Sequence, residues 1–179
     1  GVIGQPIEHS LSPRLHGHWL KRYGIQGHYI PMNIRHEDLE RVLRTLPAMG
    51  FIGLNVTIPH KEAVLALADL SSDRAALIGA ANTLIFREDG KIHADNTDGY
   101  GFVANLRQYA PDWQPSDGGA AVIGAGGASR AVIAALIDLG VTDIRLSNRS
   151  RPRAEGLRAE FGPKITVYDW NMTGDMFPG

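Results

Sequence analysis

The stretch AAVIGAGGASRAVIAALIDLG, residues 120–140, decides the fold of the second half of the chain. Its apolar start predicts a strand, its glycines a tight turn, and the apolar run that follows a helix. Gly124, Gly126 and Ser129 occupy the G-x-G-x-x-G positions, with serine in place of the third glycine. In a strand–turn–helix context this spacing is typical of dinucleotide binding, because backbone N–H groups can then approach a pyrophosphate at the helix N-terminus.

The residues after the next predicted strand indicate which dinucleotide is bound. A ribose-binding acid is expected about 20 residues after the glycines, but the sequence there is NRSRPR, residues 148–153. Guanidinium groups match the geometry of a phosphate, so NADP is predicted rather than NAD. The alternative is a tight turn followed by a solvated basic helix start. The predicted cofactor-binding residues are Gly124, Gly126, Gly127, Ala128, Ser129, Asn148, Arg149, Ser150 and Arg153.

Strand-like and helix-like segments alternate along the whole chain. The predicted strands are 2–4, 27–34, 50–58, 82–86, 91–96, 119–125, 143–148 and 164–169. The predicted helices are 13–23, 36–47, 59–68, 73–79, 98–109, 127–139 and 151–161. This alternation predicts parallel sheets covered by helices. Asp89-Gly90 predicts a hairpin between two neighbouring strands, so the first sheet should be mixed.

A connector divides the chain. Residues 109–119, YAPDWQPSDGG, contain two prolines and two glycines and lack an apolar period. We therefore predict an α/β protein with a mixed-sheet domain at 1–108 and a Rossmann domain at 118–179. The Rossmann domain is expected to be incomplete, because only three strands are predicted after residue 118.

Composition restricts the classes of partner. The net charge is −1 and the chain has no cysteine. The charge gives no electrostatic case for nucleic acid or an anionic membrane, and the lack of cysteine is compatible with a reducing cytoplasm. No apolar run approaches the roughly 18 residues of a membrane span, and the opening GVIGQPIEHS lacks a signal-peptide pattern. The spacing of the seven histidines does not predict a metal site.

The segment NVTIPHK, residues 55–61, places an amine in an unfavourable position. Pro59 predicts the first residue of a helix, which puts Lys61 in the first turn, where the helix dipole disfavours a cation. Asn55 and Thr57 share one face of the preceding strand. Since ligands bind outside the carboxyl ends of strands, Thr57 and Lys61 are expected to converge on one ligand. The alternative is that Thr57 caps the helix and Lys61 faces water.

Further polar side chains stand at element ends. In HSLSP, residues 9–13, Ser12 is a predicted helix N-cap, whereas Ser10 has no such role. Asn82 opens a strand, and NTDGYG, residues 96–101, supplies an acid, Asp98, that could also be a helix cap. Together these hydroxyls, amides, one carboxylate and one amine predict a small polyhydroxylated ligand.

The segments HSLSP, NVTIPHK, IGAANT, DNTDGYG, GAGGASRA and NRS occur in this order, at similar spacing, in shikimate dehydrogenases. The chain resembles that family over nearly its whole length. The resemblance implies a mixed-sheet substrate domain, a cleft and an NADP-binding Rossmann domain. It also implies an oxidoreductase of aromatic amino-acid biosynthesis, which reversibly reduces 3-dehydroshikimate to shikimate with NADPH.

The resemblance also implies residue roles. Ser10 and Ser12 are similar to the serines that hold the substrate carboxylate, and Thr57 to a substrate hydroxyl partner. Lys61 is similar to the catalytic residue, and Asp98 is expected beside it. Further substrate contacts are expected from Asn55, Asn82 and Thr97. Arg149 resembles the ligand of the 2′-phosphate. The family more often has threonine after this arginine, but Ser150 keeps a hydroxyl there.

Lys61 is the expected acid–base residue. Oxidising a secondary alcohol moves a hydride to the nicotinamide and a proton to a base, and the reverse reaction needs an acid. A helix N-terminus and partial burial disfavour the charged amine, whereas Asp98 nearby favours it. The sequence leaves open which effect is larger.

Several alternatives remain open at this point. The chain could be a quinate/shikimate dehydrogenase that uses NAD or both cofactors, another two-domain dehydrogenase such as one acting on methylene-tetrahydrofolate, or a noncatalytic NADP- or metabolite-sensing module. Retention of both Lys61 and Asp98 favours catalysis. The final segment WNMTGDMFPG matches no family segment well, and the family's C-terminal glutamine contact and closing helix do not appear. We therefore expect a partial chain of a cytoplasmic monomer or homodimer.

Overall fold

The computed structural model describes residues 1–177, and the chain divides into two compact units, Gly1–Asn96 and Thr97–Gly179. The sequence places the boundary later, at the connector 109–119. The helix Asp98–Tyr109 before that connector belongs to the second unit, where Gly99 is buried. A Cβ on Gly99 would lie 3.2 Å from the carbonyl oxygen of Ala131, so this helix is seated closely against its neighbour. The functional limits 1–108 and 118–179 stay a prediction.

The first unit combines six strands with four α-helices. The strands are β1 (Val2–Gly4), β2 (Pro31–Asn33), β3 (Gly53–Val56), β4 (Leu70–Ser71), β5 (Thr83–Phe86) and β6 (Ile92–Asp95). The helices are α1 (Ser12–Arg22), α2 (Leu39–Thr45), α3 (Lys61–Leu67) and α4 (Asp73–Ile78), with single 3₁₀ turns at His36–Asp38 and Leu46–Met49.

The sheet of the first unit is mixed, as predicted. Its strand order is β2-β1-β3-β5-β6-β4. β1 pairs in parallel with β2 and β3, and β4 with β6, whereas β5 is antiparallel to both β3 and β6. The predicted hairpin joins β5 to β6, and Gly90 has a φ of 81° in its turn. Glycine adopts this left-handed conformation without the steric cost that other residues meet.

One edge of this sheet collects most of the predicted substrate residues. β1 and β3 run in parallel, so their carboxyl ends lie at the same edge. Thr83 pairs with both Asn55 and Asp95, which puts the start of β5 and the end of β6 at that edge too. This edge of the sheet therefore contains the segments that follow β1 and β3, together with the residues that precede β5.

Alternating burial along β3 explains why this strand forms. Leu54 and Val56 are buried, whereas Asn55 between them is partly exposed. This period of two matches a strand with one face on an apolar core. The core also contains Ile3, Leu39, Leu43, Leu46, Val64, Leu84 and Ile92. Each such side chain contributes roughly 1.5–3 kcal/mol when it leaves water.

Two predictions for the first unit are wrong in detail, and one short strand is not predicted at all. Pro59 is not helical: α3 begins at Lys61, because residues 57–60 form a turn in which His60 N–H donates to the Thr57 carbonyl at 3.0 Å. The strand predicted at 27–34 is only Pro31–Asn33, since the partner strand offers only three residues for pairing. The two-residue strand β4 was not predicted, being too short to show a period.

The second unit is a three-stranded parallel sheet with helices. Its elements are α5 (Asp98–Tyr109), β7 (Ala120–Ile123), α6 (Gly127–Asp138), β8 (Ile144–Ser147), α7 (Arg151–Phe161), β9 (Ile165–Tyr168) and a 3₁₀ segment, Trp170–Met176. The strand order is β7-β8-β9. The predicted strands and helices of this unit are confirmed to within two residues. Val122, Ile133, Leu136, Val141, Ile144, Leu146, Leu157 and Ile165 form its core.

The longest helices, α5 and α6, have 12 residues each. Within residues 1–177, no helix combines the length and apolar character needed to cross a bilayer.

Candidate active site

The backbone around Lys61 is held from two sides. Lys61 is the first residue of α3, and its carbonyl accepts the Ala81 N–H at 2.8 Å. His60 is fully buried, and its Nε2 lies 2.8 Å from the Ile34 carbonyl oxygen, to which it donates. Lys61 therefore lies in the first helical turn, as predicted. Hydrogen bonds of residues 60 and 61 connect this turn to the segment that follows β2 and to the segment that precedes β5. His60 has a structural role here.

Thr57 follows directly after β3, where Gly4 leaves room for it. The Thr57 N–H donates to the Ile3 carbonyl at 2.9 Å. A Cβ on Gly4 would come within 2.5 Å of the Thr57 Cγ2 atom. Since real Cβ atoms do not approach so closely, only glycine at position 4 allows this position of Thr57.

The two serines of HSLSP exchange the roles predicted for them. Ser12 is not an N-cap: it is the first residue of α1, whose preceding residue provides no side-chain cap. Instead, the Ser10 hydroxyl accepts the Ser12 backbone N–H at 3.3 Å. Because the N–H groups of a first helical turn lack helical partners, Ser10 supplies the capping contact.

Tyr29, which the sequence motifs do not single out, contacts one of the predicted substrate residues. Its hydroxyl donates to Asn55 Oδ1 at 2.7 Å, and its ring stacks on His16 with centroids 4.2 Å apart. Burial raises the pKa of Tyr29 to about 12. Because the contact joins residues 26 positions apart, no local signal in the sequence indicates it.

Asn55 continues this hydrogen-bonded chain across the sheet. Its amide nitrogen lies 3.4 Å from both the Asn82 carbonyl oxygen and Thr83 Oγ1. Thr83 in turn donates to Asn82 Oδ1 at 2.9 Å. The structure therefore joins Asn55 and Asn82, two predicted substrate residues, directly and through Thr83, and it links Asn55 to Tyr29.

Strand β6 ends at Asp95, whose side chain is held in place by polar contacts. The Asp95 carboxylate accepts hydrogen bonds from the Ser72 hydroxyl at 2.6 Å and from Arg74 at 2.8 Å. Burial raises the pKa of Asp95, but these hydrogen bonds outweigh it and hold the pKa below its usual value. Asn96 is fully buried and donates to the Ala80 carbonyl at 2.8 Å. These contacts determine where the chain leaves the first unit.

Thr97 and Asp98 open the second unit. Asp98 is the first residue of α5, and Thr97 precedes it without a side-chain cap contact. The expectation that Asp98 lies beside Lys61 stays a prediction, as do the substrate roles of both residues.

The glycine turn between β7 and α6 has the predicted conformation. Gly124 has a φ of 110°, and its N–H donates to the Ser147 carbonyl at 2.8 Å. Gly126 immediately precedes α6, and a Cβ on it would meet no atom within 4 Å. This open space at the N-terminus of a 12-residue helix fits the approach of a phosphate.

Asn148 ties the glycine turn to the segment after β8. Its Oδ1 accepts the Ala125 N–H at 3.1 Å, and its Nδ2 donates to the Ser150 carbonyl at 2.8 Å. The side chain thus holds together the two segments predicted to contact the dinucleotide.

The arginines of NRSRPR have different surroundings. Arg151 is paired with Asp169 at 2.5 Å and with Glu155 at 3.0 Å. Arg149 and Arg153 are exposed, and neither side chain has an ion pair within residues 1–177. Arg149 and Arg153, rather than Arg151, therefore remain available for an anionic group.

Together, the parallel sheet with its glycine turn and the mixed sheet with its polar edge define a two-unit α/β protein with a Rossmann-type second unit. A family model for the shikimate dehydrogenase substrate binding domain matches residues 2–84. A protein named shikimate dehydrogenase (NADP(+)) from Paracoccus denitrificans is 68% identical over all 179 residues, which cover 64% of that relative. The chain belongs to the shikimate dehydrogenase family.

Two solved structures support the family assignment. The structure of shikimate 5-dehydrogenase from Thermus thermophilus in complex with shikimate matches with a TM-score of 0.80 and 34% identity. The match covers 97% of this chain and 68% of that one. Quinate dehydrogenase from Corynebacterium glutamicum in complex with NAD matches with a TM-score of 0.86 and 28% identity, over 98% and 65% of the two chains.

The chain spans 63–64% of the length of the curated relatives from Paracoccus denitrificans and Cereibacter sphaeroides. Among residues 1–177, no group of three or more histidine, aspartate or glutamate side chains is placed to hold a metal ion.

Proposed function

We propose that the polypeptide containing this chain reversibly reduces 3-dehydroshikimate to shikimate with NADPH, a step of aromatic amino-acid biosynthesis. The observation that carries the proposal is the position of Lys61 at the start of α3, at the sheet edge where Asn55 and Asn82 are joined by hydrogen bonds. Membership of the family and the 68% identity to a relative named for NADP(+) support it.

The first unit offers groups for each part of this substrate. We propose that Ser10 and Ser12 hold its carboxylate and that Asn55, Thr57 and Asn82 hold ring hydroxyls. Hydroxyl and amide groups serve as both donors and acceptors, which suits a polyhydroxylated ring. Thr97 and Asp98 complete the proposed set.

The second unit offers groups for the dinucleotide. The open space at Gly126 and the exposed Arg149 and Arg153 fit a pyrophosphate and a 2′-phosphate, so these residues would hold NADP together with Gly124, Gly127, Ala128, Ser129 and Ser150. Asn148 would keep the two binding segments in register. When bound, the nicotinamide supplies or accepts the hydride.

Lys61 is the proposed acid–base residue. In the reducing direction its ammonium donates a proton to the carbonyl oxygen, and in the oxidising direction its amine takes the proton from the hydroxyl. Asp98 is proposed to stabilise the charged form of Lys61.

The remaining assignments concern location and assembly. We propose that the protein acts in the cytoplasm as a monomer or homodimer on small-molecule substrates. The absence of cysteine agrees with a reducing compartment.

Quinate dehydrogenation with NAD is the second candidate, favoured by the fold match to the Corynebacterium glutamicum enzyme. The test is to follow the near-ultraviolet absorbance of the reduced cofactor, with the complete polypeptide that contains these residues. We expect shikimate with NADP to give a kcat/KM at least about tenfold above quinate with NAD, because exposed arginines favour the 2′-phosphate. Higher turnover of quinate with NAD would support the second candidate instead. Measurable NADPH binding without turnover of either substrate would indicate a sensor.

A further inference from the structure

We propose that Tyr29 is a positioning residue of the substrate site, which holds the Asn55 amide in the orientation needed for binding. The inference rests on the proposed function, because it takes Asn55 as a substrate contact. Tyr29 itself lies outside the set of residues that the sequence motifs single out.

The contacts of the Tyr29 hydroxyl support this role. Its oxygen lies 2.7 Å from Asn55 Oδ1, to which it donates its single proton. With Oδ1 held by the phenol, the Asn55 Nδ2 group is directed to the Asn82 carbonyl oxygen and Thr83 Oγ1, each at 3.4 Å. The phenol therefore fixes which way the Asn55 amide is turned.

The surroundings of the ring keep the phenol in place. His16 lies nearly parallel to it, with an angle of 6° between the rings. Burial lowers the pKa of His16, which favours the neutral imidazole and an uncharged stack near neutral pH. The network continues beyond Asn55 to Thr83 and Asn82. Loss of the phenol oxygen would therefore loosen Asn55 and its contact with Asn82, two proposed substrate residues, whereas the ring packing would remain.

The test is Tyr29→Phe in the complete polypeptide, with Tyr23→Phe as the matched control. Tyr23 lies in the same unit and is 65% exposed, with its ring stacked on Trp19. We expect Tyr29→Phe to raise the KM and the calorimetric Kd for shikimate by about tenfold, the scale of one or two lost hydrogen bonds. The kcat should change by less than about twofold and the KM for NADP should not change. Tyr23→Phe should match the wild type.

A double-mutant cycle tests whether Tyr29 acts through Asn55. In an Asn55→Ala background, Tyr29→Phe should have a clearly smaller effect on the Kd for shikimate than it has alone, because coupled residues are not additive. If Tyr29→Phe does not fold, His16→Ala tests the same point, since it removes the stack and should raise the KM for shikimate by about threefold.

Two results would overturn the role of Tyr29 while leaving the proposed function intact. The first is that the wild type is active and Tyr29→Phe leaves the KM and Kd for shikimate unchanged. If Tyr29→Phe does not fold, the same result in His16→Ala overturns the role. The other is a parallel fall of kcat, melting temperature and NADP affinity, which would indicate a general structural role. A wild type that neither binds nor turns over shikimate would overturn the proposed function, and the role of Tyr29 with it.

Discussion

Replacing Lys61 with alanine is expected to lower kcat for shikimate oxidation by at least about 10²-fold, the scale of general acid–base catalysis. The expected loss follows from the position of the amine, the first residue of α3 beside the polar edge of the sheet. The affinity for NADPH, measured by the fluorescence of the bound nucleotide, should change little. Steady-state kinetics with saturating NADP and shikimate measure the effect.

Lys61→Arg separates proton transfer from charge. Arginine keeps the positive charge but does not release its proton near neutral pH, so kcat should fall nearly as far as in Lys61→Ala. Lys91→Ala, in the exposed hairpin turn, is the matched control and should behave as the wild type. Near-normal turnover in Lys61→Ala would exclude the acid–base role, and retention of activity in Lys61→Arg would indicate that only the charge matters.

Replacing Arg149 with alanine is expected to raise the KM for NADPH by about 10- to 100-fold, the scale of a lost charge-assisted hydrogen bond. The KM for NADH should rise by less than about threefold, because NADH carries no 2′-phosphate for the guanidinium to bind. Arg149 is exposed and follows β8 in the segment that Asn148 holds against the glycine turn. Initial rates with each cofactor measure both constants.

Arg158→Ala is the control for this experiment. Arg158 lies near the other end of α7 and pairs with Glu155 at 3.6 Å, so its loss should affect neither cofactor. Equal losses for NADPH and NADH in Arg149→Ala would contradict the specificity argument, because they would indicate a contact with the shared part of the two molecules.

The sequence predicts the second unit better than the first. Its glycines, apolar strands and helices follow one another locally, so Gly124, Gly126 and α6 could be placed from neighbouring residues alone. In the first unit, α3 begins only at Lys61 because residues 57–60 form a turn, and Thr57 at the start of that turn is hydrogen-bonded to Ile3 of β1. Local helix signals at Pro59 could not include that long-range contact.

Long-range contacts also limit what the sequence can predict about the site. Ser10, Ser12, Asn55 and Asn82 could be selected because polar residues at strand ends are unusual. Which serine caps α1 depends on the path of the loop, and the structure gives that contact to Ser10. Tyr29 could not be selected, because a tyrosine near a strand is usually explained by packing. Its role depends on the 2.7 Å contact with Asn55, a residue 26 positions away.

The proton-transfer role of Lys61 is tested most directly by a crystal structure of the complete polypeptide with shikimate and NADP bound. We expect Lys61 Nζ within about 3.2 Å of the ring hydroxyl whose carbon faces the nicotinamide, the reach of a general base. An amine turned to solvent, with another titratable group in contact with that hydroxyl, would contradict the assignment.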